Sequence, residues 1–353
     1  MLFFTNREID VSKNDEAAFT NRFTIMDESL AAADVAGVYK AGGGATWTLA
    51  NVSPQADDND LIPRLVAVFG AGRPVLVYLH GNSNPPAKSF YRCKRLEDIY
   101  GISVIGFSWT SEGFLPDGSN AVALASDGDA EDSLKQVKSG NLGLGAIKSK
   151  IQRYHQAKIN AQQSTMAVAR FLRLVAVARM FAGVQQPYSI AGHSLGCHLL
   201  QKTLPLDGTH AAVATADNVI LLAPCTRAEQ HRGWVEKLSP KDRVYIVFNN
   251  LDPVLAAADI ADSGEIKLGL NPGLDIIRSP RFRYIDMQSN VSSSKMHACF
   301  SADNPDTPRK ADLKLFTALF RSEDDFPVNG NPKSVYLAGC NGDLSICSMS
   351  FHS

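Results

Sequence analysis

The sequence predicts an α/β fold: a mostly parallel central sheet with helices on both faces, antiparallel strands at an N-terminal edge, and a C-terminal hairpin. Three observations carry this prediction. Continuous apolar runs that end in glycine or polar residues, such as "PVLVYLHGN" (74–82), suit strands buried on both faces. Longer stretches with helical spacing separate these runs, the alternation that builds a parallel sheet. The 353 residues are 45% hydrophobic and 20% charged, enough apolar material for a large single core.

Taken in order, the first 60 residues contain "FFTNREI", "NRFTIM" and "ATWTLANV", which read as short strands added antiparallel to one edge. A helix across Ala87 to Tyr100 follows the 74–82 strand, and "ISVIGFSW" (102–109) is the next strand. Residues 111–150 break the alternation. They are rich in Gly, Ser, Asp and Asn, and such a long loop after a strand reads as a lid or insertion on the ligand-binding side of the sheet. One long amphipathic helix is predicted over Ile159 to Phe181. "PYSIAGH" then forms a strand leading into a helix over Leu195 to Thr203. "NVILLAPC" (218–225), a helix near Glu229 to Leu238, "DRVYIVFNN" (242–250) and "RFRYIDMQS" (281–289) continue the pattern. The end alternates around Asn341-Gly342 and reads as a hairpin. There is no internal repeat and no linker, so residues 1–353 are expected to form one domain.

Charge and cysteine usage exclude several classes. Net charge is −1, so there is no basic surplus to neutralise phosphates, and nucleic acid is not an expected partner. The densest basic stretch, "YRCKRLED" (91–98), carries its own acids and reads as the solvated face of a helix. No apolar run reaches the length of a membrane span, and the N-terminus lacks a secretory pattern. The six cysteines are scattered without a C-x-x-C pair, which fits reduced thiols and a cytoplasmic location. "DGDAED" (127–132) lacks the glycine and closing glutamate of a calcium loop, and "GNLGLGAIKS" lacks the Gly-Lys-Ser of a phosphate loop. No cofactor or metal site is assigned.

"YSIAGHSLGCHLL" (188–200) carries the chemistry. Gly192-x-Ser194-x-Gly196 is a weak motif alone, but here Ser194 falls at a predicted strand-to-helix junction. Such a turn strains the serine backbone and exposes its hydroxyl, and flanking glycines let strand and helix approach. A serine hydroxyl needs a base, and the base needs an orienting carboxylate. Asp252 follows directly after the 242–250 strand, in the chain order that catalysis needs, and a cap on the helix starting at Pro253 is the lesser alternative. Asp259, Asp262 and Glu229 are weaker acids by position. Of the eight histidines, only His297 and His352 follow Asp252, and His352 is penultimate, so His297 is the base. A loop histidine with no such role is the competing reading. The backbone N–H groups of Leu195 and Asn82 are the expected oxyanion donors, with Ser83 as a fallback. His80 reads as a structural residue of its loop, and His193, Cys197 and His198 as packing around the turn.

Together these pieces resemble the α/β-hydrolase superfamily across residues 70–300: strand-"LHGN", strand-"FSW", strand-"GHSLG", then Asp252 and His297. More narrowly, "FFTNR", "VYLHGN", "GFSWTS" and "AGHSLG" look like a largely bacterial α/β-hydrolase family of unknown function. Tyr154, Asn160-Ala161 and Ser164 match a helix that follows the FSW strand in that family, which makes 111–150 an insertion. The resemblance implies Ser194 as nucleophile, His297 as base, Asp252 as its orienter and Asn82 and Leu195 as oxyanion donors. It also implies esters, thioesters, amides or lipids as substrates and no cofactor. The expectation is therefore a serine hydrolase of a small-molecule carboxylic ester. An amidase, peptidase or thioesterase with the same residues is the first alternative, and a non-catalytic binding protein the second. Neither substrate identity nor oligomeric state is legible.

Overall fold

The computed structural model describes residues 1–40, 44–120, 144–288, 296–301, 310–323, 335–338 and 344–346. In chain order the strands are β1 (Leu2–Thr5), β2 (Arg7–Ile9), β3 (Phe19–Phe23), β4 (Ala31–Tyr39), β5 (Ala45–Ser53), β6 (Val75–Leu79), β7 (Ser103–Ser108), β8 (Tyr188–His193), β9 (Asn218–Leu222), β10 (Arg243–Phe248), β11 (Phe282–Asp286), β12 (Val335–Ala338) and β13 (Leu344–Ile346). The helices are α1 (Asp58–Gly70), α2 (Pro86–Tyr100), α3 (Leu144–Gln163), α4 (Thr165–Ala182), α5 (Leu195–Thr203), α6 (Thr209–Val213), α7 (Arg232–Val235), α8 (Pro253–Ala261) and α9 (Lys310–Arg321). All strands but β2 and β3 form one 11-stranded sheet, ordered β13-β12-β11-β10-β9-β8-β6-β7-β1-β4-β5.

The sheet has the predicted α/β character. From β1 across to β12 every neighbouring pair is parallel, while β4 and β5 at one edge and β13 at the other run antiparallel. Side chains alternate between two cores. Val75, Val77 and Leu79 of β6 join the core covered by α1, α3, α4 and α5, whereas Leu76 and Tyr78 join the one covered by α2 and α9. Burial on both faces explains why the strands read as unbroken apolar runs.

Several boundaries differ from the sequence reading. "FFT" enters the sheet parallel to β7, with Phe3 opposite Gly106, so the antiparallel edge begins at β4. Gly106 is what admits it: a Cβ there would lie 2.4 Å from the Phe3 ring. The single helix expected over 159–181 is two, broken at Ser164. The Ser164 hydroxyl donates back to the Asn160 carbonyl (2.8 Å), and the Gln163 carbonyl accepts from the Met26 N–H (2.8 Å) instead of continuing the helix. Arg92 and Arg95, read as solvated, are 6% and 1% exposed, because α2 is wedged between the β4–β5 edge and α9. Of the segment 111–150, Ser111 and Glu112 are buried and α3 already starts at Leu144. Residues 121–143 of that expected lid lie outside the described residues, as do the hairpin turn at Asn341-Gly342 and His352. Among the described residues, no helix is long and apolar enough to cross a membrane.

Candidate functional site

In an open parallel sheet, ligands bind where successive crossovers diverge, beyond the carboxyl ends of the strands. Here that point lies between β6 and β8. The chain leaves β6 toward β7 on one side, and later leaves β8 toward β9 on the other. Leu79 and Gly192 are paired in register there, so the loop after β6 and the turn after β8 meet above the same crevice.

Ser194 occupies that turn with φ 53° and ψ −119°, a left-sided conformation that a side chain adopts only under constraint. Its N–H donates to the Leu222 carbonyl (2.9 Å), and its own carbonyl accepts from Cys197 (3.0 Å) and Cys225 (3.1 Å). These bonds hold the strain. The glycines around it are explained by close approach: a Cβ on Gly196 would stand 2.2 Å from the Leu79 carbonyl oxygen, and one on Gly192 would stand 3.1 Å from the Cys197 nitrogen. Gly81, after β6, lies equally near, since its Cβ would fall 2.9 Å from Ser194 Cβ.

Asp252 and His297 come together from the ends of β10 and β11. His297 lies in a single turn of 3-10 helix, Met296–Ala298. Its Nδ1 is 2.7 Å from Asp252 Oδ2, and both residues are buried. A carboxylate accepts only, so Nδ1 carries a hydrogen and donates it to Asp252. Asp252 also caps α8, its Oδ1 accepting from Val254 N–H (2.9 Å) and Leu255 N–H (3.1 Å). Asp252 thus meets His297 with one oxygen and caps α8 with the other.

His193 joins this pair to the Ser194 turn. Its Nε2–H donates to the His297 carbonyl (3.0 Å), and its Nδ1 accepts from the Arg92 guanidinium (3.3 Å). The ring packs on His297 and on Phe300, at centroid distances of 4.7 and 5.0 Å. The residue before Ser194 thus anchors the backbone that carries His297, a role beyond the packing expected of it. Arg92 gave no such signal in the sequence, because its partner lies 101 positions away.

The loop after β6 is equally organised. Neither the Leu195 N–H nor the Asn82 N–H has an acceptor among the described residues, whereas the Ser83 N–H donates to the Ser111 carbonyl (2.9 Å). Ser83 is therefore occupied and cannot serve as the fallback donor. His80 braces this loop. Its Nδ1–H donates to the Gly81 carbonyl (3.0 Å), its Nε2 accepts from the Trp109 N–H (3.1 Å), and Trp109 Nε1–H donates to the His80 carbonyl (2.9 Å). Complete burial pulls the His80 imidazole down to about 3, so it stays neutral and keeps this donor–acceptor pattern. The loop after β7 is braced in turn. Arg7 Nη2 donates to the Trp109 carbonyl (2.9 Å) and to Glu112 (2.7 Å) in a buried ion pair, and Asn160 Nδ2 donates to the Thr110 and Phe114 carbonyls.

The remaining candidates are engaged elsewhere, Cys197 directly behind the turn. Cys197 is buried, its thiol donates to the Gly192 carbonyl (3.0 Å), and burial pushes it well above the ordinary thiol range, which fits packing behind the turn. Glu229 pairs with Arg227 at the surface. Asp262 binds Tyr154, Lys158 and Lys267 on the flank of α3 (2.6–2.9 Å), and Asp259 is on α8. Two cavities of about 530 and 570 Å³ are not lined by Ser194, Asp252 or His297. Compared with known protein families and with curated proteins, the chain matches none.

Proposed function

We propose that the chain is a serine hydrolase of carboxylic esters, built on an α/β-hydrolase fold. The observation that carries the reading is the buried 2.7 Å pair of His297 Nδ1 and Asp252 Oδ2, anchored through His193 to the strained Ser194 turn. Strand order and chain order support it: nucleophile after β8, acid after β10, base after β11, each at a carboxyl end of the sheet.

In this reading His297 Nε2 removes the proton from Ser194 Oγ as that oxygen attacks the ester carbonyl carbon. The carbonyl π pair moves to oxygen, and the N–H groups of Leu195 and Asn82 stabilise the resulting anion without having to reorient. The tetrahedral species collapses as the protonated His297 delivers its proton to the departing alcohol. Water then repeats the sequence on the acyl-enzyme and releases the acid. Asp252 keeps Nδ1 protonated throughout and stabilises the imidazolium, without taking the proton itself.

The test is labelling by a fluorophosphonate probe, with Ser194→Ala in parallel. Wild-type protein is expected to label and to hydrolyse a short p-nitrophenyl ester, and S194A to do neither. Equal labelling of both proteins, or no labelling of either, refutes the assignment.

A further inference from the structure

We infer that Arg92 is a positioning residue for the base of the proposed reaction. It fixes the state of His193, and His193 holds the turn that carries His297, whose role as base rests on the hydrolase reading. Arg92 lies within two turns of the start of α2, the helix entered from the loop after β6, and it is 6% exposed. Its Nη1 is 3.3 Å from His193 Nδ1, and His193 Nε2 is 3.0 Å from the His297 carbonyl. His193 is fully buried, so its ring nitrogens meet protein groups rather than solvent.

An imidazole has two neutral tautomers and a cation, and these neighbours admit one of the three. A carbonyl oxygen only accepts, so Nε2 must carry hydrogen. A guanidinium only donates and does not lose its proton, so Nδ1 must be bare. The carbonyl alone excludes the Nδ1–H tautomer, but it would serve the imidazolium too. Arg92 is what stands against that form, with a charge and an N–H aimed at the nitrogen that would take the proton. His193 is thereby kept a neutral donor with one direction. Guanidinium to imidazole, imidazole to carbonyl and imidazole to carboxylate form one row, from Arg92 through His193 and His297 to Asp252.

The turn needs holding, because Met296–Ala298 is a single turn of 3-10 helix rather than a long element. The segment just beyond it is gripped by α2 as well. The Arg92 guanidinium lies over the Phe300 ring, 5.9 Å from its centroid, and Tyr100 donates its hydroxyl hydrogen to the Phe300 carbonyl (2.8 Å). The His193 ring packs on both sides of this grip, 4.7 Å from the His297 ring and 5.0 Å from that of Phe300. A general base displaced by about 1 Å loses on the order of 10²-fold in rate. A buried cation two hydrogen bonds removed from His297 therefore acts on the chemistry.

The experiment is heteronuclear NMR of the full chain carrying isotope-labelled histidine, titrated from about pH 8 to 5, with esterase kinetics alongside. His193 is identified by the signals lost in H193F. In wild type it is expected as the neutral form with hydrogen on Nε2. In R92M, which keeps an apolar stem beside Phe300, it is expected to take a second proton at least about one pH unit higher than in wild type. The His297 Nδ1 hydrogen is expected to exchange with water at least about tenfold faster in R92M. The kcat on a short p-nitrophenyl ester is expected to fall about 10- to 100-fold, with KM within about threefold. H193F already lacks the bond to the carbonyl, so adding R92M to it is expected to cost under about threefold more. K94Q, which removes a half-buried cation of the same helix, is expected to match wild type throughout. Thermal midpoints are measured for each variant, and R92L serves should R92M not fold. Four results overturn the proposal: another form of His193 in wild type, a His193 that protonates alike in R92M and wild type, unchanged kcat in R92M, or an equal cost of R92M in the H193F background. A wild type that takes no fluorophosphonate label overturns the hydrolase reading instead. The two histidine readouts, which need no substrate, then decide whether Arg92 holds the turn.

Discussion

Asp252 offers the sharpest test of the site, because its two oxygens do different work. Oδ1 caps α8 and Oδ2 holds His297. Asparagine caps a helix as well as aspartate does, so Asp252→Asn keeps the α8 bonds if its oxygen stays toward Val254 and Leu255. The amide group then faces His297 Nδ1 across the former 2.7 Å contact. Two donors cannot meet there, so the imidazole proton moves to Nε2 and the lone pair that should accept from Ser194 is lost. Rate is expected to fall by about 10³- to 10⁴-fold, or roughly 4–5 kcal/mol of barrier. Asp252→Ala differs. It removes the cap as well, at about 1 kcal/mol, and leaves the buried Nδ1–H unpaired, at about 1–3 kcal/mol more. The assay is kcat/KM on a short p-nitrophenyl ester together with the fluorophosphonate labelling rate, with thermal midpoints measured alongside. D252N should be folded and inactive, and D252A inactive and less stable. An active D252N, within about tenfold of wild type, would show that Asp252 is only a cap.

Two further substitutions probe the frame around the site. Gly196→Ala drives a Cβ to 2.2 Å from the Leu79 carbonyl and 2.8 Å from the His80 carbonyl, both backbone, so neither can swing aside. A loss of about 3 kcal/mol or more is expected in urea unfolding, and unchanged stability would refute the close approach of α5 to β6. At Asp262, burial alone would raise the carboxyl, but hydrogen bonds and charge from Lys158 and Lys267 outweigh it and bring the group down to about 2 from 3.8. At roughly 1.4 kcal/mol per unit this contributes about 2 kcal/mol. A depressed acid stabilises above its unfolded pKa and loses that contribution as pH falls toward the folded one. Asp262→Asn is therefore expected to cost about 2 kcal/mol at pH 7 and progressively less between about pH 4 and 2. An equal difference at both ends would refute the coupling.

What the sequence revealed and what it hid follow from how far apart the interacting residues stand. The strands were legible because each is buried on both faces and advertises itself as an apolar run, and the elbow because its glycines sit two residues from Ser194. The chain order Ser194, Asp252, His297, each after a strand, was legible as well, since it depends only on where the strands end. The break in the helix at Ser164 was not, since half of its cause is the Met26 N–H reaching Gln163 across 137 positions. Nor was the parallel entry of β1, which depends on Phe3 finding a strand that has glycine at position 106. Arg92 and Arg95 look solvated in a list of charges and become buried only when α2 is covered from two directions. At Asp252 a partner for His297 and a helix cap do not exclude each other, because a carboxylate has two oxygens and this helix start uses only one.

The N-terminal strand has a consequence for the site that its position in the chain disguises. Once β1 lies beside β7, Thr5 donates to the Ser108 carbonyl and Arg7 reaches under the next loop to the Trp109 carbonyl and Glu112. Trp109 in turn grips His80 by its backbone N–H and its indole N–H, while Ser111 accepts from the N–H groups of Ser83 and Asn84. Of the loop after β6, the Asn82 N–H is thereby left with no acceptor among the described residues while its neighbours are tied down. In the proposed reaction this N–H is an oxyanion donor, and such a donor must be held still and kept unspent, since any partner it found at rest would have to be broken during reaction. The "FFTNR", "LHGN" and "FSWTS" segments, separated by up to 100 residues in the chain, are thus parts of one brace around a single N–H. That gives a physical reason for them to occur together.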